Sequence, residues 1–312
     1  NPALARLALD ETNSLSIRLR ALNEIAEMTL VTPELIQTLQ PLTQHKQHQL
    51  RIAGGVTLLR VAKGEALLTA LKAPELTQEQ LELGLARLAT TSPRAEAIAS
   101  LLNFAKDDSS QLQAKAYQLL GELKATEALP VLEANLATLE DEYQTWRELR
   151  DQQPTDTSDE RNYQTWQQQL AAAKPVHARL AAHYGYALAQ IDTTKGIEAL
   201  AHDLADVRTG ASLAFNQSAS PSDLKTLAKA RAERTAEPLF QQASYLAIDK
   251  ALARLEASTA TQDIQALETW QNQAKNPADP VNQRLAWTLT MIKHYHSLDQ
   301  EFAQKYQLKR SQ

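Results

Sequence analysis

Apolar residues recur every three or four positions along almost the whole chain, and this spacing restricts the fold more than any other feature. Leu15, Leu19, Leu22 and Ile25 form one such stripe. These positions share one face of an α-helix, because about 3.6 residues make one turn. Strand-like alternation is hard to find in any window. The sequence therefore predicts an all-α fold.

Helix starts are marked by side chains that can cap free backbone N–H groups. Thr32-Pro33, Ser92-Pro93 and Ser220-Pro221 each place a hydroxyl before a proline at a first helical position. Thr77 and Gln80 have the spacing of a capping box, in which side chain and backbone satisfy each other. These marks predict about sixteen to eighteen helices with short links, as expected of antiparallel helix pairs.

A basic residue followed closely by alanine returns along the chain. Examples are Arg18-Leu-Arg-Ala21, Arg208-Thr-Gly-Ala211 and Arg284-Leu-Ala286. The basic residues at positions 51, 115, 179 and 208 are separated by 64, 64 and 29 positions. These separations are near multiples of about 30 residues, a length typical of stacked helix pairs. We expect the alanines to allow close helix contact, and the basic residue to pair with an acid or cap a carbonyl in the adjoining turn.

Two stretches, 108–136 and 175–215, resemble HEAT-like repeats of the short bacterial kind. The matching features are Gly121, Pro130, Gly196-Ile197 and Asp206-Val207-Arg208, which follow the family pattern of helix end, proline or Gly-Ile, and basic residue. About half of the chain matches well, and armadillo-like or tetratricopeptide-like pairing remains an alternative elsewhere. The resemblance implies an α-solenoid of stacked antiparallel helix pairs with a concave inner row that holds partners.

The sequence YQTW occurs twice, at 143–146 and 163–166, within a polar insert at 139–173. Folding the insert as a helical hairpin about position 154.5 would place Tyr143 against Trp166 and Trp146 against Tyr163. Such aromatic pairs contribute about 0.5–1.5 kcal/mol beyond area burial. We expect the rings to hold the hairpin together first. Any ring left uncovered could contact a ligand or partner.

The sequence offers little support for catalysis. No Gly-rich phosphate loop, nucleophile elbow or metalloprotease motif occurs. His45 and His48 have a spacing that metals can use, but no carboxylate lies nearby in sequence. Gly54-Gly55 is better explained by close helix approach than by phosphate binding. We therefore predict no catalytic residues, no metal and no cofactor.

Charge and hydropathy restrict the possible partners. A net charge of -5 makes nucleic acid an improbable partner, because phosphate contacts need a basic face. No apolar run approaches the roughly 20 residues that span a bilayer. The absence of cysteine excludes disulfides and thiolate sites. We expect the cytoplasm ahead of the periplasm, and the start at Asn1 suggests a processed protein or part of a longer one.

Together these features predict one α-solenoid domain over 1–312 with the inserted hairpin at 139–173. The expected function is a non-enzymatic scaffold or regulatory module that binds a protein partner through its concave face. The alternatives are a nucleic-acid-binding protein like the HEAT-like DNA glycosylases, and a regulatory arm of a larger enzyme. The candidate binding residues are four aromatic and five basic side chains: Tyr143, Trp146, Tyr163, Trp166, Arg208, Lys225, Lys229, Arg231 and Arg234.

Overall fold

The computed structural model of the chain is all-helical over the residues that it describes. Those residues are 2–28, 31–72, 76–106, 110–154, 160–173, 175–256, 261–274 and 276–305. They form seventeen α-helices and three short 3-10 helices, with no strand among them. The predicted all-α fold of stacked helix pairs is therefore confirmed. The chain divides into two compact units, Asn1–Glu127 and Ala128–Gln312.

Unit 1 contains eight α-helices and the 3-10 helix η1, Gln40–Gln44. The α-helices are α1 Pro2–Leu9, α2 Leu15–Ala26, α3 Pro33–Leu39, α4 His48–Val61, α5 Gly64–Leu71, α6 Gln78–Thr91, α7 Arg94–Phe104 and α8 Ser110–Glu122. Helices α2, α4, α6 and α8 stack side by side, and α3, η1, α5 and α7 pack against them. The buried residues of this stack include Leu22, Leu58 and Leu85.

Unit 2 has its own two rows of helices and includes a long hairpin. Its α-helices are α9 Leu129–Asp151, α10 Glu160–Ala172, α11 Ala181–Ile191, α12 Thr193–Leu200, α13 Ala205–Ser218, α14 Pro221–Glu233, α15 Pro238–Glu256, α16 Thr261–Gln273 and α17 Pro280–Lys305. The 3-10 helix η2, Thr126–Ala128, contains the last residues of unit 1 and the first of unit 2, and η3, Val176–Leu180, lies within unit 2. Helices α11, α13, α15 and α17 form one row, and α12, α14 and α16 form the other. This two-row packing is the α-solenoid arrangement.

The hairpin helix α9 is joined to the repeats of unit 2 by two charged contacts. Glu133 accepts from Lys195 at 3.0 Å, and Glu140 lies 2.8 Å from His202. Glu133 and Glu140 are seven positions apart and therefore share one face of α9. A hairpin is present where the sequence predicted one, although the turn residues 155–159 lie outside the described part. The single domain over 1–312 stays a prediction.

Most of the predicted helix caps are confirmed. Thr77 and Ser220 each form a capping box, with Gln80 and Asp223 respectively. Thr32 caps α3 by accepting from the backbone of Leu35. Ser92 is the exception, because it ends α6 instead of starting α7. Its hydroxyl is buried without a hydrogen-bond partner among the described residues.

The predicted role of the repeated basic residue is also confirmed. Arg18 is buried and donates from Nε to the Ala8 carbonyl at 2.8 Å. Arg208 donates to the carbonyls of His202 and Asp203, at 2.6 and 2.8 Å. Each guanidinium satisfies carbonyls just outside its own helix. These contacts hold neighbouring helices in register.

The glycines allow close approach between helices. A Cβ atom at Gly54 would lie 2.6 Å from the Leu42 Cβ, which confirms the predicted close contact. None of the helices described here is long and apolar enough to cross a membrane.

Candidate functional site

The two YQTW copies lie on the facing helices of the hairpin, α9 and α10. Their four aromatic rings are half-buried. The indole N–H of Trp166 donates to the Leu149 carbonyl at 2.8 Å. No residue of α10 is fully buried among those whose side chains are described. The hairpin is therefore held by a few half-covered rings and not by a core of its own.

The helices pair in a different register from the predicted one. The hydrogen bond between Trp166 and Leu149 has a sequence midpoint of 157.5, three positions later than the expected 154.5. The ring of Trp166 lies 5.5 Å from that of Tyr163, which is on the same helix. The predicted pairing of Tyr143 with Trp166 is therefore wrong. The cause is the polar edge of the indole, which binds a backbone carbonyl.

Trp146 has a cationic neighbour. The guanidinium of Arg150 lies 5.5 Å from the centre of the Trp146 ring, one turn along α9. This cation–π contact replaces the predicted pairing of Trp146 with Tyr163. The exposed edges of these rings leave an aromatic surface on the hairpin.

The predicted basic residues are distributed over different contacts. Arg208 caps the turn after α12, as described above. Arg231 is mostly buried, lies 3.5 Å from Asp279 and has its guanidinium carbon 5.7 Å from the Tyr245 ring centre. Arg234 lies 3.6 Å from Glu237 and covers the ring of Phe240. These three side chains have structural partners within unit 2.

The two lysines of α14 are more accessible. Lys225 donates to the side chain of Gln273 on α16. Lys229 is well exposed and lies 3.9 Å from Glu233, four positions later on the same helix. A binding role for the five basic residues stays a prediction.

His45 and His48 both contact Arg51. The Nδ1 atom of His45 accepts from the backbone N–H of Gln47 at 3.0 Å, and the His45 carbonyl accepts from Arg51 at 2.8 Å. His48 Nδ1 lies 3.4 Å from the guanidinium of Arg51. Across the described ranges, no group of three or more histidine, aspartate or glutamate side chains could hold a metal ion.

A cleft that the sequence did not reveal opens in unit 1. It has a volume of about 1130 Å³. Its walls come from the end of α2, from α3 and η1, from the end of α4, from α5 and from α6. The turn between α4 and α5 carries Lys63 into the cleft, and the next residue, Gly64, has a φ of 55°. Glycine adopts this left-handed conformation at no steric cost.

Arg87 of α6 supplies the least satisfied charge of the cleft. Its Nε atom is buried without a hydrogen-bond partner among the described residues. Its terminal nitrogen makes a long contact of 3.4 Å with the Ala62 carbonyl. Burial lowers the pKa of the Arg87 guanidinium from its ordinary value, because loss of water disfavours the charged form. Arginine nevertheless stays charged at neutral pH.

The remaining charges of the cleft are Arg60, Lys63, Glu27 and Glu65. Arg60 forms an ion pair with Glu27, in which Nη1 and Oε1 are 2.6 Å apart. Lys63 and Glu65 are exposed at the rim. With Arg87 included, three cations and two anions line the cleft. The balance is positive in a chain whose net charge is -5.

One part of the cleft wall is apolar. Met28, Val31, Ile36, Val61 and Ala66 contribute to it. Glutamine and threonine side chains from α3, η1 and α5 line the rest. The cleft thus combines an apolar surface with cationic side chains, an arrangement suited to an amphipathic anion.

Comparison with known proteins gives little beyond the fold class. No protein-family model matches the chain. No curated protein matches its sequence. Among solved structures, the chain is similar to human deoxyhypusine hydroxylase in complex with glycerol, with 16% identity over 94% of this chain and 96% of that chain. The TM-score is 0.23.

This comparison corrects the expected function. The prediction of a non-enzymatic scaffold that binds a protein is contradicted, because the solved structure to which the chain is similar is that of an enzyme. At this identity and TM-score, the likeness assigns no reaction to this chain. What the structure supports is an all-helical protein built of stacked helix pairs.

Proposed function

We propose that the cleft of unit 1 binds an anionic organic ligand that has an apolar portion. The observation that carries the proposal is the guanidinium of Arg87, which lines the cleft, is only partly buried and makes one long hydrogen bond of 3.4 Å, to the Ala62 carbonyl. The N–H groups of a guanidinium that face a cleft form charge-assisted hydrogen bonds with a carboxylate or phosphate oxygen, which are stronger than bonds between neutral groups. The apolar wall at Ile36, Met28 and Val61 would cover the rest of the ligand.

The size of the cleft agrees with such a ligand. Small-molecule pockets commonly enclose about 300–1,000 Å³. The volume of about 1130 Å³ lies just above this range.

Isothermal titration calorimetry with octanoate and octanol tests the proposal. The two molecules share the chain length and differ in charge. We expect octanoate to bind and octanol to bind at least about tenfold more weakly, because a hydrogen bond to a charged group contributes about 1.5–3 kcal/mol. The variant Arg87→Gln should weaken octanoate binding by a similar factor and leave octanol binding unchanged.

Arg20→Gln is the matched control. Arg20 is an exposed arginine of α2 in the same unit and does not line the cleft. It changes the net charge by the same amount as Arg87→Gln. If Arg20→Gln and Arg87→Gln weakened octanoate binding equally, or if octanol bound as well as octanoate, the proposal would be wrong.

A second proposal concerns the hairpin. We propose that the half-exposed rings of Tyr143, Trp146, Tyr163 and Trp166 contact a partner, and that the repeats are of the short bacterial HEAT-like kind. The support is an aromatic surface on a hairpin that has no buried side chain in the described part of α10. Affinity capture with the intact chain and with a version lacking 138–174 tests it. A protein retained equally by both versions would exclude the hairpin as the contact.

A further inference from the structure

The ion pair between Arg60 and Glu27 lies inside the proposed ligand cleft. Arg60 belongs to the last turn of α4, and Glu27 follows the last residue of α2. Both side chains line the cleft. One hydrogen bond of 2.6 Å joins them. A guanidinium has five N–H donors, so Arg60 keeps four donors that Glu27 does not use.

This ion pair is easily replaced. The side chains of Arg60 and Glu27 are 46% and 76% exposed. Exposed pairs of this kind contribute only about 0.2–1 kcal/mol. Glu27 sits on the end of its helix and can turn into solvent without leaving a buried charge. A ligand carboxylate that met Arg60 with two oxygens would bind it more strongly than Glu27 does with one.

The cleft therefore has two cationic positions of different kinds. Arg87 is partly buried and makes one long hydrogen bond, to the Ala62 carbonyl. Arg60 is accessible and is held by a carboxylate of the protein itself. Lys63 at the rim adds positive charge beside Arg60 in sequence, and Glu65 offsets part of it.

We infer that the cleft takes a ligand with two anionic groups joined by an apolar chain. One anionic group binds Arg87, and the other displaces Glu27 from Arg60. Glu27 thus acts as an internal competitor that selects dianions over monoanions. This inference rests on the proposed function and names the class of ligand.

Calorimetric titration with suberate and octanoate tests the inference. Both acids have eight carbon atoms, and suberate carries a carboxylate at each end. We expect suberate to bind the unmodified protein about three- to tenfold more tightly than octanoate. In Glu27→Gln the affinity for suberate should rise a further two- to fivefold, about the contribution of an exposed ion pair. The affinity for octanoate should change less than about twofold.

Two further variants identify the cause of any gain. Glu24→Gln is the matched control, because Glu24 is an exposed carboxylate one turn earlier on α2 and does not line the cleft. It should leave both affinities unchanged. Arg60→Gln should abolish the advantage of suberate over octanoate, and adding Glu27→Gln to it should give no gain.

The outcomes separate the inference from the proposed function. If octanoate binding depends on Arg87 but suberate binds no better and Glu27→Gln has no effect, the inference fails and the proposed function stands. If Glu24→Gln raises the affinity for suberate as much as Glu27→Gln does, the gain is a general charge effect and the inference fails. If neither acid binds, both are overturned.

Discussion

Two glycines, Gly185 and Gly210, set the closest approach in unit 2. A Cβ atom at Gly185 would overlap the Val207 carbonyl, and one at Gly210 would overlap the Ala182 carbonyl. The helices α11 and α13 therefore cross with their backbones in contact. Carbonyl groups of a helix backbone cannot rotate away as a flexible side chain can.

Gly210→Ala should destabilise the protein for this reason. Alanine favours the helix by about 1 kcal/mol over glycine. Overpacking against a backbone costs about 3 kcal/mol or more. We therefore expect the free energy of unfolding to fall by roughly 2 kcal/mol, as measured by urea titration. Thr209→Ala, at the exposed neighbouring position, should change it by less than about 0.5 kcal/mol.

Arg284 joins two acidic residues of α15 to α17. Its guanidinium lies 2.5 Å from both Asp249 and Glu256, and it donates to Thr288 at 2.9 Å. Burial disfavours its charge, but hydrogen bonds to Glu256 and Asp249 outweigh burial and raise the pKa of Arg284. The guanidinium therefore stays charged and forms ion pairs with both carboxylates.

Arg284→Gln should leave those carboxylates unpaired. We expect a loss of about 2–3 kcal/mol in the free energy of unfolding, below the value for fully buried pairs because Asp249 is partly exposed. Adding Glu256→Gln should recover part of the loss. Lys293→Gln removes an exposed pair between α17 and Glu268 of α16, and it should cost less than about 1 kcal/mol. Equal losses in the two single variants would contradict this account.

At the scale of the element, the hairpin α9–α10 is the least supported part of unit 2. Its helices meet through half-buried rings, and the hydrogen bond from Trp166 to Leu149 ties α10 to α9. Segments with few buried contacts open more readily than the core. The hairpin should therefore exchange its amide hydrogens faster than α13.

Trp166→Phe should loosen α10 further. Phenylalanine keeps an aromatic ring but cannot donate to the Leu149 carbonyl. The lost hydrogen bond contributes about 0.5–1.5 kcal/mol, so amide exchange in α10 should accelerate about two- to tenfold. Hydrogen-exchange mass spectrometry can measure this. Trp146→Phe is the control, because Trp146 contacts Arg150 on its own helix. Similar acceleration in both variants would count against a special role for the indole N–H.

Helix starts are predicted well where the residues that cap them lie close together in sequence. The capping boxes at Thr77 and Ser220 involve residues three apart, so the sequence contains all of their parts. Ser92 shows the limit, because a serine before proline can end one helix as well as start the next. The predicted hairpin register is wrong because matching rings in pairs ignores the polar edge of Trp166.

The cleft could not be predicted because tertiary packing assembles it. Glu27, Arg60 and Arg87 are distant in sequence and meet only when α2, α4 and α6 stack. In the sequence, nothing distinguishes these three residues from other charged residues of the helices. The turn residue Gly64 is a local sign that the chain bends sharply at this edge. The period of a repeat predicts that its helices stack, but it does not predict which charged side chains will line a cleft between them.

At the scale of the whole molecule, each unit has its own set of buried residues. Leu58 and Leu85 belong to unit 1, and Leu227 and Leu252 belong to unit 2. Compact units of this kind need not unfold in a single transition. The cleft draws all of its lining from unit 1. Ligand binding should therefore respond to changes in unit 1 and be insensitive to changes in unit 2.

The variants Gly54→Ala, in unit 1, and Gly210→Ala, in unit 2, test whether ligand binding responds only to changes in unit 1. An alanine at Gly54 would press on Leu42 and shift η1, which supplies Gln40, Thr43 and Gln44 to the cleft. We expect its affinity for octanoate to fall by on the order of threefold or more, because overpacking displaces the neighbouring backbone. Gly210→Ala should lower stability in unit 2 and leave the affinity for octanoate within about twofold of the unmodified protein.

Calorimetry at a temperature where both variants are folded measures the affinities, and hydrogen exchange shows which helices octanoate protects. Protection should fall on α2, α4 and α6. An equal loss of affinity in both variants, or protection centred on unit 2, would mean that octanoate binds outside the cleft.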